Sequence, residues 1–310
     1  MIKFARPVGV LIAAIAAVIP ATAVVAAPAA NSANKLYNSL APPQGNLPSL
    51  GFEATQTSEF GNAVTLTRSA TVASVQVTMD SWGCQTGGWT TDDCVTSPGA
   101  KFSEPITLNI YNAPASDPRT QSDAMGSGLP GSLILSRTTT FNIPYRPSAN
   151  NTKCTGAEAG DWFDKTNREC FPGLMTNINF TGLNIALPKN IVFGIAYNTS
   201  DYGYAKYGDS TACYTAGDAG GDQCPYDSLN VAVSLDPDNI QKGSDTYPGY
   251  VFWNTSTAAN YCDGGTAGNS TFRFDSPGTP ACWGAYGASP PSAANYEAPW
   301  YVPAIQFIAS

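Results

Sequence analysis

The placement of cysteine constrains this chain more than any other feature. Eight cysteines fall into four near-neighbour pairs: Cys84 with Cys94, Cys154 with Cys170, Cys213 with Cys224, and Cys262 with Cys282. Each pair brackets a stretch rich in Gly, Asp and Thr between apolar runs. Disulfides persist outside the reducing cytosol, so an even set of this kind reads as a disulfide framework. Spacing alone does not fix the connectivity, but closeness in sequence favours sequential pairing. Closing a loop of about 15 residues stabilises a fold by roughly 3 kcal/mol in the chain-entropy model. Zinc-thiolate sites show Cys-x-x-Cys or mixed Cys/His spacing. The chain has no such spacing and no histidine.

The N-terminus agrees with an oxidising destination. Met1 to Ala30 carries Lys3 and Arg6, then an uncharged apolar run from Val8 to Ile19, then small residues around Val24-Val25-Ala26 and Ala27-Pro28-Ala29. That is the layout of a cleaved export signal. Pro20 interrupts the run, and a spanning helix needs roughly 20 apolar residues. A secreted domain is therefore expected, not one embedded in the membrane. The expected organisation is a signal over 1–30, a loose Pro/Asn/Ser-rich lead-in over 31–48, and one domain over 49–310.

Charge narrows the partners. The chain has 15 basic and 23 acidic residues, a net charge of −8, and only 12% charged residues. An acidic surface disfavours nucleic acid and anionic membranes. It does not repel neutral glycans or other cell-surface components. A mature chain of about 280 residues is long enough to bury one large core.

Period-2 runs recur along the chain. Ala63–Thr67 alternates, and Ala73–Met79 places Val75, Val77 and Met79 on one face. Ile106–Tyr111 alternates too, and Leu133–Ser136 leads into Thr139–Ile143. Further runs are Ile178–Phe180, Leu183–Leu187, the continuous Ile191–Tyr197, Leu229–Val233, Phe272–Phe274 and the C-terminus. No capped segment of 3.6 period follows the leader. Many short strands separated by Gly, Pro and Asp turns predict an all-β sandwich or barrel. The cysteine pairs fall in its long connections.

Several chemistries are excluded. Without histidine there is no Ser-His-Asp triad. No Gly-x-Ser-x-Gly elbow and no phosphate or dinucleotide fingerprint is present. A carboxylate-based hydrolase would need two acids in different environments. Glu53, Glu59, Glu104, Asp161, Asp164, Asp201 and Asp227 are the candidates, and no pair stands out by spacing. For calcium, the oxygen donors Asp236, Asp238 and Asn239 cluster, as do Asp218 and Asp222, without completing an EF-hand loop. Such clusters are also ordinary turn chemistry, and no other cofactor is expected.

Aromatic residues in loops are the strongest ligand signal. Tyr197 to Tyr207 combines Asp201, Tyr202, Tyr204 and Tyr207 with Asn, Thr and Ser. That mixture suits a sugar, whose C–H faces pack on rings and whose hydroxyls pair with short polar groups. Trp82 and Trp89 lie in the first cysteine loop, and Trp253, Tyr261, Trp283 and Tyr286 lie near the last. The competing role for any one of them is packing. The expected ligand set is Tyr202, Tyr204, Tyr207, Asp201, Trp89 and Trp253. Five Asn-x-Ser/Thr triplets, at Asn150, Asn179, Asn198, Asn254 and Asn269, carry no further inference.

The runs Ile106–Asn112, Gly128–Ile134 and Leu187–Ala196 resemble those of bacterial exported β-sandwich domains. In those domains a strand ending in Ile-Tyr precedes a Pro-Gly-Ser-Leu turn, and a later strand ends in Gly-Ile. Over about residues 35–310 the chain looks like actinobacterial secreted proteins of uncharacterised function. The resemblance implies a jelly-roll-like β-sandwich with long disulfide-stapled loops, and it implies no catalytic residue. The expected function is a non-enzymatic extracellular domain that binds carbohydrate through loop aromatics. The alternatives are a structural or protein-interaction domain of the cell surface and a carboxylate-based polysaccharide-active enzyme.

Overall fold

The computed structural model describes residues 34–40, 49–52, 57–88, 91–118, 128–198, 229–234, 239–248, 250–255, 272–275 and 301–310. The leader, and the pairs Cys213/Cys224 and Cys262/Cys282, lie outside them. Among the described residues the strands are β1 (Lys35–Asn38), β2 (Ser49–Leu50), β3 (Thr57–Thr65), β4 (Ala70–Ser81), β5 (Lys101–Asn112), β6 (Leu133–Pro144), β7 (Trp162–Asp164), β8 (Glu169–Phe171), β9 (Leu174–Phe180), β10 (Ile185–Leu187), β11 (Asn190–Ala196), β12 (Leu229–Ser234), β13 (Ser244–Asp245), β14 (Val251–Thr255), β15 (Arg273–Asp275), β16 (Val302–Pro303) and β17 (Ile305–Ala309). No helix among these residues is long and apolar enough to cross a membrane.

Every strand pairing is antiparallel, as the alternating runs require. The first sheet is built on β4. Val75 pairs with Phe180 of β9 on one edge and with Phe307 of β17 on the other. β17 carries β1 on its far side, and β12 takes over the end of β4 at Met79–Ser81. The second sheet runs β15-β14-β3-β11-β5-β6, with β13 pairing the end of β3.

Alternation places one face of each sheet in a shared core. From the first sheet come Val75, Val77, Met79, Ile178, Val231 and Phe307; from the second come Phe60, Val64, Ile106, Leu108, Ile110, Ile191, Phe193 and Ile195. Aromatic rings meet between the sheets: Phe193 and Phe307 lie 5.9 Å apart, and Phe141 and Phe180 lie 5.1 Å apart, edge to face. Two antiparallel sheets around one core form a β-sandwich, and Val75, Val77 and Met79 share its inner face as their spacing predicts.

Three features depart from the sequence reading. The expected loose lead-in over 31–48 contains β1, whose Leu36 and Tyr37 are buried where it pairs with β17. The runs Leu133–Ser136 and Thr139–Ile143 are one continuous strand, β6. The connection bearing Cys154 and Cys170 contains a small hairpin, β7–β8, in which Trp162 packs on Phe171.

The two described disulfides join Cys84 to Cys94 and Cys154 to Cys170, with Cα separations of 5.5 and 5.8 Å. Their loops also lock to each other at one end of the sandwich. Arg146 is fully buried, its backbone N–H donates to Gly83 O at 3.0 Å, and its Nη2 donates to Gly160 O. Ala149 N donates to Cys94 O at 2.9 Å, and Asn151 Nδ2 to Asp92 O at 3.0 Å. Gly160, at φ +83°, leaves no room for a Cβ, which would stand 2.3 Å from Asp92 Oδ1. A buried arginine whose backbone N–H and guanidinium satisfy carbonyls in two loops couples their order.

The Cys154–Cys170 bridge closes a sequence separation of 16 residues. The paired change Cys154→Ala/Cys170→Ala is therefore expected to cost about 3 kcal/mol in chemical denaturation. A loss below about 1 kcal/mol would mean that the Arg146 contacts, not the bridge, hold this loop.

Candidate functional site

The second sheet is unusual on its outer face. On β3 and β11 the residues between those feeding the main core are also buried. Ala63, Val192 and Phe252 point away from the sandwich core and are nonetheless at most 1% exposed. Tyr247 and Phe272 complete a second apolar cluster over them, and the half-buried Tyr111 and Tyr250 pack against it. The Phe272 ring lies 5.5 Å from Tyr111 and 5.6 Å from Phe252. This cluster dries one half of a face that alternation would otherwise leave wet.

Strand register arranges the rest of that face in rows. One row reads Asn254, Glu59, Ala196, Thr107, Thr138 across β14, β3, β11, β5 and β6. The next reads Phe252, Gly61, Gly194, Asn109, Ser136. Ser136 and Thr138 are exposed, whereas Thr107 and Asn109 are half-buried. Thr107 and Thr138 share a hydroxyl–hydroxyl bond of 2.8 Å. The face thus grades from an aromatic, covered half over β14 and β3 to an open hydroxyl and amide half over β5 and β6.

Glu59 sits on the boundary, 9% exposed. Its carboxylate crosses over β11 to reach β5. Asn109 Nδ2 and the Tyr111 hydroxyl both donate to Oε1, each at 2.9 Å. The crossing is open because Gly194 has no side chain: a Cβ there would stand 2.1 Å from Oε1. The second oxygen, Oε2, accepts no hydrogen bond among the described residues. Burial raises the Glu59 pKa, and the bonds from Asn109 and Tyr111 offset only part of the rise. The Tyr111 hydroxyl is raised as well, by burial and by the neighbouring carboxylate, so it stays a donor.

Two other acids with raised pKa values lie elsewhere. Asp80 is fully buried and accepts from Trp82 Nε1 at 2.9 Å. Burial pushes it up to about 7 against the opposing effects of Trp82, Ser49 and Arg146. Asp245 accepts from Asn62 Nδ2 at 3.0 Å and from Tyr247 N at 2.9 Å, and burial pushes it up to about 6. Both lie within hydrogen-bonded packing.

The expected ligand residues fare unevenly. Trp253 is not a loop aromatic. It lies on β14 facing the core, 2% exposed, and its Nε1 donates to Thr57 Oγ1 at 2.7 Å. Alternation in β14 turns Val251 and Trp253 inward and Phe252 outward, so the aromatic run is a strand and not a loop. Tyr197, at the head of the expected sugar-binding segment, is also core: its ring stacks on Phe52 at 4.3 Å and its hydroxyl donates to Leu229 O at 2.7 Å. Trp89, Asp201, Tyr202, Tyr204 and Tyr207 lie outside the described residues. β11 reaches the register position of Glu59 at Ala196, two residues before Asn198, after which that segment follows in sequence.

Of the calcium candidates, Asp236 and Asp238 lie outside the described residues. Asn239 donates through Nδ2 to Ser234 Oγ at the end of β12. No cluster of three acid or cysteine ligands occurs among the described residues. Among the acids singled out by composition, Glu104 is buried on the core-facing side of β5, and Asp164 accepts from Thr166 N and Asn167 Nδ2 within a turn. Among the described residues, Glu59 combines burial, two neutral donors and a neighbouring face of exposed hydroxyls. Nothing in its local sequence marks it; the signal was the pair Gly61 and Gly194, which register sets side by side. No protein-family model, no curated protein and no solved structure matches the chain.

The three raised acids set the sign of the pH dependence of stability. Unfolded, each ionises near its ordinary value around 4; folded, each holds its proton to higher pH. Between about pH 4 and 7 the folded state therefore binds more protons, and stability falls as pH rises. The melting temperature is expected to be higher near pH 5 than near pH 8. Glu59→Gln should raise it near pH 8 and narrow that gap, because the amide removes one desolvated charge. An unchanged gap in the variant would show that Glu59 ionises as if exposed.

Proposed function

We propose that the protein is an exported, disulfide-stapled binding domain whose second sheet takes a neutral, polyhydroxylated ligand, a glycan, on its outer face. The observation that carries this reading is the Glu59 carboxylate, fixed by two neutral donors on Oε1 and left with a second acceptor oxygen. Around it stand uncharged groups suited to a sugar: the Tyr111 hydroxyl bonded to it, and hydroxyl and amide groups at Thr107, Asn109, Ser136 and Thr138 on the same rows, with the half-buried Tyr111 and Tyr250 rings in the neighbouring cluster. A pre-positioned acceptor on a rigid sheet lowers the ordering cost of binding. The loop residues Asp201, Tyr202, Tyr204 and Tyr207, and Trp89, are proposed as a second contributor. Export rests on the leader and on the two disulfides, which belong to an oxidising compartment.

Binding is favoured over hydrolysis by the composition of the rows. Glycosidases pair two carboxyl groups about 5 to 9.5 Å apart. Between β14 and β6 the rows through Glu59 and Gly194 hold no second acid.

The test is a glycan-array and polysaccharide pull-down screen of the oxidised chain 31–310, with and without calcium. Specific binding is expected, weakened roughly tenfold or more by Tyr111→Phe or Glu59→Gln with the fold intact. Tyr202→Ala and Tyr204→Ala report on the loop. Silence across a broad panel would favour a structural or protein-interaction domain instead.

A further inference from the structure

We propose that a single proton on Glu59 controls this site, holding a ligand hydroxyl in neutral solution and weakening that hold in mild acid. The inference rests on the glycan reading above and adds its regulation.

The argument begins with which oxygen is free. Asn109 Nδ2 and the Tyr111 hydroxyl converge on Oε1, each at 2.9 Å. An amide NH2 donates only, and the Tyr111 hydroxyl is committed as a donor. Oε1 must therefore remain an acceptor whether the acid is charged or neutral. A proton added to Glu59 has to sit on Oε2, the oxygen that faces away from both donors. In the ionised acid Oε2 accepts a ligand O–H in a charge-assisted bond, roughly twice as strong as a neutral one. In the protonated acid the same position presents an O–H donor. Protonation thus reverses the hydrogen-bonding direction at the oxygen that accepts no bond from the described residues.

No described residue facing Glu59 counteracts this. From β5 the neighbours are Asn109 and Tyr111, from β11 Gly194 and Ala196, and from β14 Phe252 and Asn254. Further along the face, Tyr247 and Tyr250 belong to the cluster over Ala63, Val192 and Phe252. Among the described residues these rows hold no Lys, Arg or second acid, and so supply no cation to hold the charge in place as the pH falls. Tyrosine hydroxyls do not ionise in this range. Burial of the carboxyl, with its raised pKa, moves the proton's arrival toward milder acid.

Glutamine offers a fixed copy of the protonated state. In Glu59→Gln the carbonyl oxygen replaces Oε1 and keeps both donors, while the NH2 group stands where Oε2 was and can only donate. The experiment uses the oxidised chain 31–310 and neutral oligosaccharides of glucose, mannose and galactose, with affinity measured by calorimetry from about pH 4.5 to 8. Wild type should bind roughly tenfold more weakly at the acid end. Glu59→Gln should be as weak at both ends as wild type is in acid, with circular dichroism unchanged. A wild type that binds equally across the range overturns the switch and leaves the glycan reading standing. A variant that keeps the wild-type slope also overturns it, because the proton then sits elsewhere. A wild type silent at every pH overturns the glycan reading, and the switch with it.

Discussion

Packing of two twisted sheets through one apolar layer governs everything else in this molecule. β4 is the pivot: its 12 residues take β9 and β10 along one edge and β17 and β12 along the other. Its inward side chains meet those of β3, β5 and β11 across the core. Register is strongly specified by such a layer, because a slip of one residue would turn every inward side chain outward. Once the core fixes the register of β3, β11 and β5, their outward side chains are placed as well. Glu59, Gly194 and Asn109 meet for that reason. Their meeting is a consequence of Phe60, Ile195 and Leu108 being held inside.

The outer face departs from the pattern of a sandwich wetted on both sides. A cluster of Ala63, Val192, Tyr247, Phe252 and Phe272 covers half of it. A carboxylate at the margin of that cover loses water without gaining a cation from the described residues, and such a group costs the fold free energy when charged. Three neutral details soften the cost: the Asn109 amide, the Tyr111 hydroxyl, and the missing side chain of Gly194. Buried polar arrangements of this kind, which work against stability, are where a function is expected to reside.

Much of the sandwich is legible in the sequence. The alternation of Val75, Val77 and Met79 and that of Ile106, Leu108 and Ile110 foretell the inner faces of β4 and β5. The near-neighbour cysteines foretell the two described bridges. The short strands β1, β2 and β14 are not legible, since two to five residues among Gly, Pro and Asn give no period, and Trp253 is misplaced for that reason. The candidate site is less legible still. Its three key groups come from β3, β11 and β5 and are separated by 50 or more residues along the chain; only cross-strand register unites them. The Arg146 contacts that join the disulfide loops are hidden for the same reason, as a lone arginine before Pro147 carries no local signature. Fold class follows from periodicity, while site geometry follows from pairing, which a single sequence does not display.

The most direct test is a side-chain carboxyl NMR titration of the oxidised chain 31–310 labelled at glutamate, with Glu59 assigned through Glu59→Gln. The account predicts a Glu59 midpoint above the ordinary glutamate value of about 4.3, moved further upward in Tyr111→Phe, where one bond to the charged form is lost. A midpoint at or below the ordinary value, unmoved by that change, would contradict the account. It would mean that the carboxylate is in water and that the outer face of the second sheet holds no prepared site.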